Sequence, residues 1–373
     1  MPVEPVYSTT INHVSILDEQ GNFDATLGDG LIPDEDVVAM YKHMLVCRQF
    51  DKIAFKLQRS GRMGTYPENR GQEVPSLAAA YVLQKKDWMV TCYRENAGLF
   101  WRGLPKEKIL LHWMGDERGN HIDECNVTPL AIAIGSQMLH ATGLAWASKY
   151  RKDGAIACTF FGDGATSEGD FHEAANFAAN LNIPVVFVCQ NNGWAISSPT
   201  KLECSAPTVA QRGLAYGMDC IQVDGNDLFA MVKVVRDAAT NARENNRPTF
   251  IEALTYRLGD HTTADDARRY RDADELEMWQ KRDPLIRTRM YLEQKDLWSG
   301  AKEEEQLAAA EKEVAQVVKN AEEIDAPSAT DIFDSMYINL PDELRKQRQT
   351  MRTSSLGQDP SQIENTNGVR QNS

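Results

Sequence analysis

Residues 155–197 read AIACTFFGDGATSEGDFHEAANFAANLNIPVVFVCQNNGWAIS. Ala155 to Phe161 is a nearly continuous apolar run with β-branched and aromatic residues, the pattern of a strand covered on both faces. Gly162-Asp163-Gly164 ends it. From Ser167 to Leu181 the apolar residues Phe171, Ala174, Ala175, Ala178 and Leu181 form one helical stripe. Ile183 to Cys189 is a second buried strand, ended by Asn191-Asn192-Gly193. Strand, helix and strand joined by short loops make a βαβ unit, with parallel strands and a right-handed crossover.

In such a unit the carboxyl ends of both strands share one edge of the sheet, where ligands bind. That edge carries Asp163 from the first strand and Asn192 from the second, with 26 residues between the Gly-Asp-Gly and Asn-Asn motifs. A carboxylate and a carboxamide oxygen thus face one point. A few hard oxygen ligands suit magnesium, which completes its shell with water and phosphate oxygens. The helix that follows adds free N–H groups that favour an anion. Gly-Asp-Gly alone is a turn; the paired asparagines on the neighbouring strand end are what make it a site. Other nucleotide fingerprints fail, since there is no GxxxxGK[ST] and GDGATSEG is not GxGxxG.

Around this unit the chain reads as α/β, a parallel sheet flanked by helices, with a helical C-terminal region. Residues 1–33 read as an irregular arm. Helices are expected over Asp34–Gln58 and Glu73–Leu83, and a short strand over Trp88–Tyr93. Two further strands, Cys220–Val223 and Thr249–Leu254, flank a helix at Leu228–Arg243. The α/β domain is expected over 34–300 and a helical region over 301–347. Within the latter, Leu307, Ala310, Val314, Val317, Ala321 and Ile324 mark a helix packing on its own domain. The tail over 348–373 is polar and expected to be disordered.

Forty basic residues against 54 acidic ones give a formal charge of −14, which argues against a nucleic-acid or anionic-membrane surface. No apolar run approaches the roughly 18 residues a membrane helix needs. The N-terminus has neither a secretory pattern nor an Arg-rich leader, so a cytoplasmic location is expected. The seven cysteines contain no CxxC pair, hence neither a disulfide framework nor a zinc site is suggested.

Gly162-Asp163-Gly164 through Asn191-Asn192 resembles the thiamine diphosphate motif. The stretch from Gly162 to Ser197 resembles the α subunit of the decarboxylating first component of 2-oxo acid dehydrogenase complexes, and the likeness runs from about Gly61 to Ser299. It implies the thiamine diphosphate-binding fold, with Mg2+ held by Asp163, Asn192 and the backbone carbonyl of Trp194. Tyr93-Arg94 resembles the pair that contacts the cofactor's phosphates. The segment Tyr256 to Thr262 resembles one that places Arg257 on a phosphate and His261 beside the cofactor as the catalytic group. Backbone around Ile134, Gly162, Gly164 and Ala165 is implied to cradle the cofactor. The charged loop HTTADDARRYRD, opened by His261, is implied to order over the site on cofactor binding. Thr262 stands where mitochondrial relatives carry a regulatory phosphorylated serine, and an unregulated state is expected here.

The same resemblance puts the glutamate that activates the cofactor ring on a separate β subunit. The chain is then expected to be inactive alone, to form a heterotetramer of two α and two β chains, and to serve a lipoyl acyltransferase component. An inactive scaffold would not need Asp163, Asn192 and His261. For substrate, Gly71-Gln72-Glu73 and the run Trp279 to Ser299 lean towards pyruvate. Asn191 to Ser197 and Gly225 to Ala230 also look like branched-chain 2-oxo acid relatives, and an acetoin type exists. Discrimination by a methylene or two is worth only about 1–3 kcal/mol; pyruvate leads.

Overall fold

The computed structural model describes residues 3–334 and 336–356. Its centre is a six-stranded sheet formed by β1 (His13–Val14), β2 (Trp88–Val90), β3 (Ala157–Gly162), β4 (Val185–Asn191), β5 (Asp219–Asp224) and β6 (Thr249–Leu254). The strands lie in the order β1-β5-β6-β4-β3-β2, and every pairing is parallel. Helices α1 (Asp34–Arg59), α2 (Glu73–Val82), α3 (Asn96–Trp101), α4 (Ser136–Arg151), α5 (Gly169–Asn180) and α6 (Leu228–Asn245) accompany it. The expected α/β class with a parallel sheet is what the chain adopts.

The central strands are apolar along their whole length because both faces are covered. Ala157 to Phe161 and Val185 to Cys189 are all buried, the polar Thr159 included. On one face Phe171 of α5 meets Phe161 at 6.1 Å and Phe250 at 5.8 Å, centroid to centroid. Ala174, Ala175 and Ala178 continue that face of α5 at no exposure. Small residues there let the helix lie close to the sheet, and the aromatic edges fill what remains.

Three expectations need correction. The segment read as an irregular arm contributes β1, an edge strand paired with β5. Asp227, the N-cap of α6, bonds Phe229 N and Ala230 N with one oxygen. With the other it accepts Ile16 N at 2.6 Å and Leu17 N at 2.7 Å. A single buried carboxylate thus caps a helix and pins the arm, which two residues of strand could never signal by periodicity. The helix after β3 begins at Gly169, not Ser167, because a 3-10 turn over Asp163–Ser167 precedes it. Thr166 Oγ1 turns back to Asp163 O at 2.6 Å and tightens that turn. Finally, a helix spans Asp342–Leu356, so helical structure runs past the expected limit at 347; its residues are mostly helix formers, many of them charged. The rest of the expected tail lies outside the described residues.

The chain divides into two compact units, Met1–Lys319 and Asn320–Ser373. In the first, Ala310 and Val314 of the helix Gly300–Glu322 are fully buried and Lys106 pairs with Glu313 at 2.9 Å, so the helix packs on its own domain as expected. In the second, Arg348 pairs with Asp334 at 2.7 Å. Among the described residues no helix is long and apolar enough to cross a membrane.

Candidate active site

Register fixes the site. Gly162 pairs with Gln190 across β3 and β4, and Asn191 pairs with Leu254 across β4 and β6. The strand ends are therefore level, and the residues that follow them come together: Arg94 after β2, Asp163 after β3, Asn192 after β4 and Arg257 after β6. They line one cavity of about 350 Å³. Every site residue expected from the sequence is on its wall: Tyr93, Arg94, Ile134, Gly162, Asp163, Gly164, Ala165, Asn192, Trp194, Arg257 and His261. A larger cavity of about 840 Å³ lies between α1 and residues 258–276. It contains none of them, so size does not identify the site here.

Asp163 is 2% exposed. One carboxylate oxygen accepts from Thr200 Oγ1, while Oδ1 is buried without a partner. Burial pushes this carboxyl above its ordinary range, with the Thr200 hydroxyl opposing. Asn192 donates to Gln72 Oε1 at 3.2 Å, and its Oδ1 accepts from Trp194 N at 3.1 Å, leaving one lone pair. A Cβ on Gly164 would lie 2.5 Å from Ala195 Cβ, so only glycine lets the backbone run here.

The two arginines are the most unusual feature. Arg94 is 6% and Arg257 3% exposed, yet among the described residues neither forms an ion pair. Arg94 bonds Glu68 O at 2.6 Å and also His261 O. Arg257 bonds Ile196 O at 2.9 Å, and its Nε is buried without a partner. Both direct a guanidinium nitrogen at His261 Nδ1, each at 3.0 Å. Burial and the Arg94 charge bring Arg257 down to about 10. Burial, then Arg94 and Arg257, bring His261 down to about 3. Arginine can only donate, so Nδ1 accepts and the neutral ring carries its proton on Nε2. The Tyr93 ring stands edge-on to His261 at 6.3 Å.

The loop after His261 is tied down by its own bonds. His261 N donates to Asp265 at 2.8 Å, which also receives the Tyr270 hydroxyl. Arg271 holds Arg257 O and Gly259 O.

Sequence reasoning missed several wall residues: Gln72, Glu95, Gln137, Gln190 and Glu203. Glu95 directly follows Tyr93-Arg94 and Gln190 directly precedes the asparagines, so adjacency to the motifs was the available signal. Glu203 had none; its Oε2 is buried without a partner, and burial followed by the Asp163 charge pushes its carboxyl up. Glu95 accepts from Gln190 Nε2 at 2.6 Å and Arg94 N at 3.0 Å, and burial brings it up to about 7 from 4.5. Between those values the folded chain holds a proton the unfolded chain has released, so stability falls as pH rises through that window. Glu95→Gln keeps both contacts if Gln190 turns its free Oε1 to the new amide. Its stability relative to wild type should therefore grow from pH 4.5 to pH 8 by about 3 kcal/mol. Thermal melts across that range check this; a pH-independent difference would show that Glu95 titrates normally when folded.

Fold and cavity define an α/β protein with a partly enclosed site at the carboxyl edge of its sheet, lined by two buried arginines and several carboxyl groups. The chain belongs to the dehydrogenase E1 component family, the thiamine diphosphate-dependent first component of 2-oxo acid dehydrogenases, whose match runs over residues 41–330. It is 40% identical over 339 residues to the pyruvate dehydrogenase E1 component subunit alpha of Staphylococcus aureus (strain Mu50 / ATCC 700699), covering 90% of this chain and 91% of the relative. It is 41% identical over 325 residues to the 3-methyl-2-oxobutanoate dehydrogenase subunit alpha of Mycobacterium tuberculosis (strain ATCC 25618 / H37Rv), covering 86% and 88%. The resemblance read from the motifs is thus a family membership, and the two relatives differ in substrate while matching equally well.

Proposed function

We propose that this chain is the α subunit of a pyruvate-decarboxylating E1 enzyme and binds the diphosphate of thiamine diphosphate through Mg2+. The observation that carries the reading is the pair of buried guanidiniums that form no ion pair among the described residues, lining one cavity with a buried carboxylate oxygen that accepts no hydrogen bond there. Unpaired buried charges are costly, and a metal-bound polyanion complements both signs at once. Asp163 Oδ1, Asn192 Oδ1 and the Trp194 carbonyl would hold the metal, while Arg94 and Arg257 neutralise the phosphate charge that one Mg2+ leaves over. Gly164 lets the backbone approach the cofactor. His261, neutral with a fixed tautomer, presents Nε2–H as a hydrogen-bond donor.

When bound, thiamine diphosphate supplies the carbon nucleophile that attacks the keto group and the electron sink for decarboxylation. The residue that activates its ring belongs to a β subunit, so the working enzyme is a heterotetramer of two α and two β chains that acylates a lipoyl group of an acyltransferase component. Support for pyruvate comes from Gly71-Gln72-Glu73, the run Trp279 to Ser299 and the Staphylococcus relative. The branched-chain reading rests on Asn191 to Ser197, Gly225 to Ala230 and the Mycobacterium relative.

The test is to co-express the chain with its β partner and follow reduction of an artificial electron acceptor. Pyruvate and 3-methyl-2-oxobutanoate are compared, each with and without thiamine diphosphate and Mg2+. Cofactor-dependent turnover faster on pyruvate is expected. A reversed preference selects the branched-chain reading, and no turnover on any 2-oxo acid overturns the enzyme assignment.

A further inference from the structure

Asp51 lies on α1, outside the cofactor cavity, and is 3% exposed. Among the described residues it meets no cation. Its Oδ1 accepts the Tyr66 hydroxyl at 2.5 Å and Asn69 Nδ2 at 3.4 Å, and its Oδ2 accepts Asn69 N at 2.8 Å. Burial brings it up to about 7. An acid kept in such a place is expensive, and all its bonds go to one short segment.

That segment, residues 66–72, runs along the back of the site. Tyr66 N donates to Thr263 Oγ1 at 3.2 Å and Tyr66 O accepts Thr263 N at 3.1 Å, a two-way tie to the loop that His261 opens. Glu68 O receives Arg94 Nη1 at 2.6 Å. Asn69 Oδ1 receives Asn96 N at 3.0 Å, and Asn96 Nδ2 returns to the Tyr66 hydroxyl at 2.9 Å. Arg70 O receives Leu258 N at 3.0 Å, next to Arg257. Gln72 Oε1 receives Asn192 Nδ2 at 3.2 Å. Gly71 has φ +93°, and a Cβ there would lie 2.4 Å from Tyr256 O, so the segment is pressed against the strand end that carries Arg257.

We propose that Asp51 is a positioning residue for the diphosphate site: through Tyr66 and Asn69 it fixes segment 66–72, and through that segment it fixes Arg94, Asn192 and the loop after His261. This rests on reading the cavity as the cofactor site. Supports one layer behind a ligand set orient the groups that bind, and their loss costs affinity before it costs chemistry.

Asp51→Asn turns an amide donor towards Asn69 N–H or the Tyr66 hydroxyl; Tyr66→Phe removes the hydroxyl and keeps ring and carboxylate. Both are compared with wild type as complexes with the β partner. One readout is thiamine diphosphate half-saturation at fixed Mg2+, with kcat at saturation. The other is tryptic cleavage after Arg268 and Arg269, both exposed on the loop, without cofactor. Half-saturation should rise about 10-fold or more, kcat should stay within about 2-fold, and loop cleavage should accelerate. Thr263→Val should add less cleavage on top of Asp51→Asn than it does alone, because both loosen one tie. Assembled variants with wild-type half-saturation and wild-type cleavage overturn the proposal, as does an equal loss in kcat with half-saturation unchanged, the mark of general destabilisation. If wild type itself fails to bind thiamine diphosphate, the functional reading falls and the cleavage comparison alone decides Asp51. Should Asp51→Asn not fold, Tyr66→Phe carries the same comparison.

Discussion

Asp163→Ala is expected to remove Mg2+-supported thiamine diphosphate binding while the chain still folds and assembles with its partner. Asp163 has one oxygen on Thr200 and one with no protein partner, in a buried place that disfavours the charged form. Without a cation the carboxylate is a cost to the fold, so deleting it does not weaken the core. With a cation bound it would supply a full negative charge to the metal, in the cavity that Arg94 and Arg257 also line. Losing a buried charged partner of this kind costs several kcal/mol, which reads as a drop in cofactor affinity on the order of 100-fold or more. Titration calorimetry of the complex with thiamine diphosphate at fixed Mg2+ measures it, and thermal melting without cofactor checks the fold. Asp163→Asn, which keeps the shape and one acceptor without the charge, should fall between the two. Wild-type affinity in Asp163→Ala would refute the metal assignment.

How much of this was legible beforehand depends on the kind of residue. The strands 157–162, 185–191 and 249–254 could be read because continuous apolar runs of that length between polar breaks have few other solutions. Given those strands, Asp163 and Asn192 had to share an edge, since parallel neighbours end on the same side. Arg94 and Arg257 were not derivable in that way. An arginine after a strand end is ordinary, and what sets these two apart is burial without an ion pair, which only the folded chain shows; resemblance to a family supplied them instead. Glu95, Gln190 and Asp51 escaped for the same reason, as polar residues whose burial follows from long-range packing. β1 escaped because two residues carry no period, and its anchor Asp227 is more than 200 residues away.

Arg257→Met should separate stability from binding in opposite directions. In wild type the guanidinium is 3% exposed, has a buried Nε without a partner, and lies in the field of Arg94. An apolar side chain of similar length gives up the bonds to Ile196 O, His261 Nδ1 and the Tyr270 hydroxyl. It also ends the desolvation of one cation and its repulsion with a second, an exchange that is commonly neutral or favourable in protein interiors. The melting temperature without cofactor should therefore hold or rise, by about 2–4 °C for each kcal/mol relieved. Binding should move the other way. Removing one of two buried cations from a diphosphate site costs about 2–5 kcal/mol, a loss on the order of 100-fold in affinity for thiamine diphosphate. The stabilisation that saturating cofactor confers on wild type should shrink accordingly. His261 supplies an independent reading: burial first, then the Arg94 and Arg257 charges, bring it down to about 3, so losing one of those charges lets its pKa rise. A histidine ionisation should then enter the pH profile of cofactor binding at a higher pH than in wild type. An arginine retained only to brace the loop would give the reverse result: a lower melting temperature, with affinity for thiamine diphosphate intact.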